Sequence, residues 1–175
     1  MQDSPLVTIG MPIFNAAETI KYAVESLVSQ THSNIEIIIS DNCSTDATPQ
    51  ICKELESKDS RIAYSRNEQN LGADRNFEKV LALATGKYFM WASDDDFWSP
   101  NFVETLVNSL EKNELAIGAI TPIGKIDSGR VLSSENPDIY NISGRNPIDR
   151  ILSVSTKDYG VSIFSLFRLK SIKDL

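Results

Sequence analysis

IEIIISDNCSTD, at residues 35–46, places a polar loop directly after an apolar run. Isoleucine occupies both faces of the strand predicted at residues 35–40, as expected for a parallel strand that is covered by helices on both sides. The loop at residues 41–46 begins at the carboxyl end of this strand, where open α/β sheets bind their ligands. The segment therefore predicts the fold class and the edge of the sheet at which a binding site should lie.

The first two-thirds of the chain alternates short apolar runs with helical patterns. This predicts a mostly parallel central sheet flanked by helices, in a three-layer α/β/α arrangement. Strands are expected at residues 6–11, 35–40, 61–65, 88–92 and 115–121. Asn15 is predicted to cap the first helix, with Glu18 completing a capping box. Ser99 and Pro100 are predicted to begin the fourth helix.

The last third of the chain has a less regular pattern, rich in Gly, Ser, Asn and Pro between residues 124 and 147. We predict a hairpin around residues 127–129, a short helix near residues 147–152 and a last strand at residues 161–167. The total of 175 residues favours one domain with a substantial core.

Composition excludes several classes of protein. The net charge of -7 and the scattered acidic residues argue against a nucleic-acid partner. Two cysteines and one histidine provide neither a disulfide framework nor a Cys/His metal cluster. No apolar run approaches the length of a membrane span, and residues 1–5 do not look like a signal peptide. We therefore expect a cytoplasmic protein.

Polar residues follow three of the predicted strands. They are Pro12 to Asn15 after the first strand, Asp41 after the second, and Asp94 to Asp96 after the fourth. Because the carboxyl ends of parallel strands meet at one edge of a sheet, we expect these segments to lie close together.

The three adjacent aspartates at residues 94–96 repel one another unless water or a cation intervenes. Carboxylate oxygens suit a hard divalent cation, which would keep coordination positions for a phosphate-bearing substrate. The alternative is a solvated acidic turn before a helix, where negative charge is favoured in any case. On these three residues alone, both interpretations stay open.

Single residues at the same edge also have two interpretations. Asp41 could bond backbone amides of its own loop, as Asp does in turns, or accept a hydrogen bond from the imide N–H of a uracil-type base. Phe14 could stack on that base or pack within the protein. Arg75 could reach a phosphate or a base, or form a surface ion pair.

Motifs of other nucleotide-binding and hydrolytic proteins are missing from the sequence. It has no G-x-G-x-x-G after the first strand, no G-x-x-x-x-G-K-[ST] and no G-x-S-x-G. A sugar-1-phosphate nucleotidyltransferase has a related topology, but it carries a Gly-rich loop where this chain has residues 11–15, M-P-I-F-N.

An ordered series of segments resembles the family 2 glycosyltransferases of the GT-A fold, which is Rossmann-like. The resemblance covers residues 5–110 well. Its segments are V-T-I-G-M-P-I-F-N at 7–15, S-L-V-S-Q-T at 26–31, E-I-I-I-S-D-N-C-S-T-D at 36–46, N-L-G at 70–72, and G-K-Y-F at 86–89 followed by the three aspartates. Pro100 lies four residues after Asp96, which is the family's spacing.

The resemblance implies a nucleotide-diphosphate sugar donor, with UDP-sugar expected, and transfer of the sugar to an acceptor hydroxyl with inversion. Asp41 would hold the nucleobase, and the pocket for the base would be lined by Pro12, Phe14 and Asn15. Arg75 is expected to contact the same nucleotide.

For the acidic residues, the resemblance implies that Asp95 is the principal ligand of Mn²⁺ or Mg²⁺. Asp96 would orient the metal or its water, and Asp94 would touch the ribose or sugar. The family's D-x-D-D motif has its first aspartate at Ser93 of this chain, and Asn42 replaces the second acidic residue of a D-D pair.

The family's general base belongs to an acidic pair that we expect beyond Leu175, so the catalytic base is unknown and the isolated chain is expected to be inactive. Residues 1–121 would form the nucleotide-binding half of a single, truncated GT-A domain, and residues 122–175 the start of the acceptor-side half. The alternative is a non-catalytic module that binds nucleotide sugars. The resemblance also implies a role in the biosynthesis of a polysaccharide or glycoconjugate, with a saccharide or a lipid-linked molecule as the acceptor. Peripheral association of the full-length protein with the inner face of a membrane stays open.

Overall fold

The computed structural model describes residues 4–121, the backbone of residues 124–127 and 130–134, and residues 165–173. The chain divides into two compact units, one formed by Met1–Ala119 with Leu166–Leu175 and the other by Ile120–Ser165. The helix predicted near residues 147–152 and residues 161–164 of the predicted last strand lie outside the described residues.

The first unit contains a six-stranded sheet, in which chain numbering gives β1 (Val7–Ile13), β2 (Ile35–Asp41), β3 (Ile62–Arg66), β4 (Tyr88–Trp91), β5 (Gly118–Ala119) and β8 (Leu166–Arg168). The order of the strands in the sheet is β3-β2-β1-β4-β8-β5. Strands β1 to β4 are parallel, whereas β8 runs antiparallel to both of its neighbours. The mostly parallel sheet predicted from the sequence is thus confirmed.

Helices cover both faces of this sheet. They are α1 (Ile20–Val28), α2 (Thr48–Lys58), α3 (Ala73–Leu83), α4 (Phe102–Lys112) and α5 (Leu169–Lys173). Ile37 and Ile39 share a buried cluster with α1, α2 and α4. Ile38 points the other way and packs in a second cluster with α3 and α5. The alternation along β2 therefore produces the predicted three-layer arrangement.

Close packing of α3 on the sheet depends on Gly10 in β1. A Cβ atom at this position would lie 2.8 Å from Cγ2 of Val80 and 2.9 Å from Cζ of Phe89. Because the side chain of glycine is a hydrogen atom, the helix can approach the strand at this point.

The predicted helix starts at Asn15 and Ser99 are wrong. Asn15 has a φ of 53°, and its Oδ1 accepts a hydrogen bond from the backbone N–H of Thr45. Helix α1 therefore begins only at Ile20, with no side-chain hydrogen bond from its N-cap. Residues 99–101 form a turn, and α4 begins at Phe102.

Strand β5 is shorter than predicted: it covers Gly118–Ala119 and not residues 115–121. It lies at the edge of the sheet and pairs with β8 alone, so only a short part of the apolar run has a partner. In the second unit, β6 (Gly124–Asp127) and β7 (Arg130–Ser134) form an antiparallel pair. This confirms the hairpin predicted around residues 127–129.

Candidate functional site

The carboxyl ends of β1 and β2 lie side by side. Ile13 is the register partner of Asp41, and the backbone N–H of Asn42 donates to the carbonyl of Ile13 at 2.8 Å. Beyond the strands, Ser44 Oγ accepts from the backbone N–H of Asn15 at 2.8 Å. The sheet thus brings the polar segments at residues 12–15 and 41–44 together, as the sequence predicted.

Asp41 is completely buried beneath its own loop. Its Oδ1 accepts from the backbone N–H of Ser44 at 2.8 Å and from the Ser44 hydroxyl at 2.5 Å. Its Oδ2 accepts from the Tyr64 hydroxyl at 2.9 Å, and Nε of Arg66 lies 3.5 Å away. Burial, followed by the hydrogen bond to Asp41, raises the pKa of Tyr64. Both carboxylate oxygens are therefore engaged with donors of the protein.

A cleft of about 180 Å³ opens beside this loop. Its lining includes Pro12 and Phe14 together with Asn70, which precedes α3, and three residues of α3 itself. Phe14 is 48% exposed, although it is a large apolar side chain. Asn15 and Arg75 are exposed nearby in sequence, but neither residue lines the cleft, and Asp41 does not line it either.

Three asparagines that line the cleft, Asn42, Asn70 and Asn76, belong to one network of hydrogen bonds. Asn42 Oδ1 accepts from the backbone N–H of Leu71 at 2.8 Å and from the amide of Asn67 at 3.1 Å. Its Nδ2 donates to Oδ1 of Asn70 at 2.9 Å and to the carbonyl of Gly72 at 3.1 Å. Asn42 thereby fixes the loop that leads into α3.

Asn76 extends this network into the sheet. Its amide donates to the Ser40 carbonyl at 2.8 Å, and its Oδ1 accepts from the Ser40 hydroxyl at 2.7 Å. Sequence reasoning treated Asn42 as a replaced acidic residue and did not predict this network. The recurrence of asparagine at positions 67, 70 and 76 was the available signal.

The acidic residues 94–96 follow β4, which is the other neighbour of β1 in the sheet. The Thr19 hydroxyl donates to Oδ2 of Asp94 at 2.8 Å, and the Ser93 hydroxyl donates to Oδ1 of Asp95. Asp95 and Asp96 are exposed, whereas Asp94 is half-buried. The three carboxylates therefore differ in how free they are to bind a ligand.

Among the described residues, none of the ion pairs between a Lys or Arg and a carboxylate involves residues 94–96. The negative charge of these three aspartates is therefore not balanced by a neighbouring cationic side chain in that part of the chain. The pKa of Asp96 is raised, mainly by desolvation and then by the charges of Asp95 and Asp94. The donors are hard oxygen atoms, which suit a divalent cation such as Mn²⁺ or Mg²⁺.

These carboxylates do not complete a metal site by themselves. Among the described residues, no group of three Asp, Glu, His or Cys side chains could hold a metal ion. A cation at Asp95 and Asp96 would therefore need further oxygen ligands from a substrate or from water.

No helix in the described part of the chain is long and apolar enough to cross a bilayer.

Comparison with known proteins identifies the family. The model of the family described as "Glycosyl transferase family 2" matches residues 8–175. An uncharacterised glycosyltransferase of Haemophilus influenzae is 35% identical over 114 residues, which are 65% of this chain and 35% of that protein. The Escherichia coli UDP-Glc:alpha-D-GlcNAc-diphosphoundecaprenol beta-1,3-glucosyltransferase WfgD is also 35% identical over 114 residues, which are 65% of this chain and 44% of WfgD.

Among solved structures, the mannosyltransferase PcManGT of Pyrobaculum calidifontis, in complex with GDP-Man and Mn²⁺, has a TM-score of 0.70 at 16% identity. The match covers 99% of this chain and 47% of PcManGT. The chain thus spans less than half the length of each of these three proteins. The fold is that of the GT-A glycosyltransferases, and the chain belongs to glycosyl transferase family 2.

Proposed function

We propose that the protein transfers a sugar from a nucleotide diphosphate, with UDP as the preferred nucleotide, to an acceptor hydroxyl with inversion and with the aid of a divalent cation. The observation that carries this proposal is the convergence of three polar segments at one edge of the sheet. Residues 12–15, 41–44 and 94–96 lie at or just beyond the carboxyl ends of β1, β2 and β4, respectively. They provide an aromatic face, a polar loop and a cluster of carboxylates within a chain of this family.

For the nucleobase, we place the binding position in the cleft beside Phe14. The exposed ring offers an apolar face on which a base can stack. The amide nitrogen of the exposed Asn70, which lines the same cleft, can donate a hydrogen bond to the base. Arg75, which is exposed at the start of α3, is free to approach a phosphate or the base.

Asp41 contributes to this position through its loop. Its carboxylate fixes Ser44, which in turn accepts from the backbone of Asn15. Direct acceptance of a uracil imide proton by Asp41, which the family resemblance implies, requires Tyr64 or Arg66 to move away from Oδ2.

For the diphosphate, Asp95 and Asp96 would hold the cation, while Asp94 is kept in place by Thr19 and faces the ribose or sugar. A cation bound there supplies Lewis-acid stabilisation of the leaving nucleotide. The carboxylates of this chain bind and orient, and a further carboxylate of the full-length protein serves as the base.

We extend the proposal to the acceptor and its location. WfgD is named for an acceptor linked to diphosphoundecaprenol, and a lipid-linked saccharide is the acceptor class we propose here. The reaction would then take place at the cytoplasmic face of a membrane, where nucleotide sugars are available.

The test is calorimetric titration of UDP, and of GDP for comparison, with and without Mn²⁺. We expect UDP to bind more tightly than GDP, and Mn²⁺ to strengthen binding of UDP by about tenfold or more. Asp95→Asn should remove the Mn²⁺ effect, whereas the control Glu114→Gln, at an exposed acidic residue outside the site, should retain it. Binding of UDP that is insensitive to Mn²⁺ in the unaltered protein would contradict the proposal.

A further inference from the structure

The loop after the acidic residues is bonded to the end of α1. Ser26 Oγ accepts from the backbone N–H of Trp98 at 3.2 Å, and Gln30 Nε2 donates to the carbonyl of Ser99 at 2.8 Å. The backbone N–H of Thr31 donates to the carbonyl of Pro100 at 2.8 Å. These bonds join residues at least 69 positions apart in sequence, so they are a product of the fold.

Gln30 contributes two side-chain hydrogen bonds to this connection, one to Ser99 and one to Val103. It is 6% exposed, and its Oε1 accepts from the backbone N–H of Val103 at 3.0 Å. Val103 is in the first turn of α4, where the N–H groups have no partner within the helix, and Asn101 provides no side-chain cap. Gln30 therefore caps α4 from the segment that follows α1, while its amide nitrogen donates to the carbonyls of Ser99 and Ser26.

Helix α1 is also connected to the start of residues 94–98, which we call the acidic loop. Thr19, directly before α1, donates to Asp94, and Gln30 lies two residues beyond the end of α1. Residues 95–97, between the two connections, are exposed. Because an α-helix is rigid over this length, α1 fixes the two ends of the loop relative to each other.

From this arrangement we infer that Gln30 is a positioning residue, which acts through Ser99 and Val103 to hold Asp95 and Asp96 where they can share a cation with a bound diphosphate. The inference rests on the proposed function. Adjacent carboxylates repel one another, so a loop without these bonds spreads its charges apart. Binding of the cation must then also order the loop, which lowers the affinity for the cation. At a fixed concentration of Mn²⁺, less of the protein carries the cation, so the gain in UDP affinity is smaller.

The test uses Gln30→Met, which keeps a side chain of similar length and removes all three hydrogen bonds. Ser26→Ala is the second variant, because it removes the acceptor of the Trp98 amide and leaves the hydrogen bonds of Gln30 in place. It also removes the bond from the Ser26 hydroxyl to the Ala23 carbonyl within α1. The matched control is Val107→Ala, which creates a cavity at a buried position of α4 without touching the acidic loop. All three are compared by their free energy of unfolding, so that loss of stability is separated from loss of position.

The first measurement is hydrogen exchange in the absence of metal and nucleotide. We expect faster exchange at Val103 and throughout residues 94–98 in Gln30→Met, and unchanged exchange at residues 94–98 in Val107→Ala. The second measurement is the gain in UDP affinity on addition of Mn²⁺ at one fixed concentration, below saturation of the unaltered protein. It should fall by about tenfold in Gln30→Met and by about threefold in Ser26→Ala, and stay unchanged in Val107→Ala.

Two results would overturn the positioning role. One is a full Mn²⁺ effect in both Gln30→Met and Ser26→Ala, and the other is an equal loss in Val107→Ala at comparable stability. If the unaltered protein does not bind UDP, the proposed function itself fails. If Mn²⁺ raises the UDP affinity of the unaltered protein and of both variants equally, the proposed function stands and only the role of Gln30 is rejected.

Discussion

The hydroxyl of Thr19 donates a hydrogen bond of 2.8 Å to Oδ2 of Asp94, across a separation of 75 residues in the sequence. This bond uses one carboxylate oxygen of the first aspartate in the acidic loop and leaves Asp95 and Asp96 exposed. The three neighbouring aspartates therefore have different environments, and their roles can be separated by substitution.

We expect Thr19→Val to lower the free energy of unfolding by about 1 kcal/mol, because a partly buried hydrogen bond is lost. It should also reduce the gain in UDP affinity that Mn²⁺ produces, since the bond holds the start of the loop that carries Asp95 and Asp96. Chemical denaturation and calorimetric titration measure the two effects. Thr85→Val is the control, because Thr85 also donates to a carboxylate, that of Glu36 at 2.7 Å, near the amino ends of β2 and β4. An equal loss of the Mn²⁺ effect in the control would contradict the prediction.

Asn42→Ala should destabilise the protein by about 2–3 kcal/mol, because it leaves several buried polar groups without partners. It should also weaken binding of UDP in the absence of metal, since the loop before α3 forms one wall of the cleft. The comparison is Asn34→Ala, at an exposed asparagine that donates one hydrogen bond of 2.6 Å to the Ser4 carbonyl. Unchanged nucleotide affinity in folded Asn42→Ala would argue against a base in this cleft.

Gly10→Ala should lower the free energy of unfolding by about 1–3 kcal/mol, because the new methyl group overlaps with Val80 and Phe89. Val80→Ala removes Cγ2, the atom that lies 2.8 Å from the added Cβ. In a double-mutant cycle, the cost of Gly10→Ala should therefore be smaller in the Val80→Ala background. Additive costs in this cycle would show that contact with α3 is not the reason that glycine is needed.

The two cysteines should differ sharply in reactivity. Cys52 is buried, and burial, followed by the charges of Asp41, Asp46 and Glu56, raises the pKa of its thiol to about 12. At pH 8 this thiol stays protonated and unreactive, because the thiolate is the nucleophile. Titration with a disulfide reagent should detect only Cys43 in the native protein and both thiols after denaturation. Cys43→Ser should show no reactive thiol before unfolding; rapid labelling of Cys52 in that variant would refute the prediction.

Much of the fold could be predicted from the sequence. The apolar run at residues 35–40 gave the correct strand because isoleucine on both faces requires a layer of helices on each side. Three polar segments at strand ends indicated one edge of the sheet, since parallel strands present their carboxyl ends together. The order of the family's segments gave the family, and the match over residues 8–175 confirms it.

The sequence could not show which side chain bonds to which distant partner. Asn15 has the residue type and spacing of a helix cap, yet its Oδ1 accepts from Thr45 in the next loop. The asparagine network at residues 42, 67, 70 and 76 involves four separate positions and follows no periodic pattern. Periodicity reports which face of an element is buried, and carries no information on hydrogen bonds between elements.

The sequence by itself determined the layers, the parallel strands and the edge at which polar residues collect, because burial of apolar side chains sets these features locally. Only the tertiary structure decided that Asp41 is saturated by Ser44 and Tyr64, and that Gln30 caps α4 from 73 positions away. A buried polar group must find a partner wherever the fold brings one within reach. Such partners are chosen by packing in three dimensions, and a linear pattern of residue types does not record them.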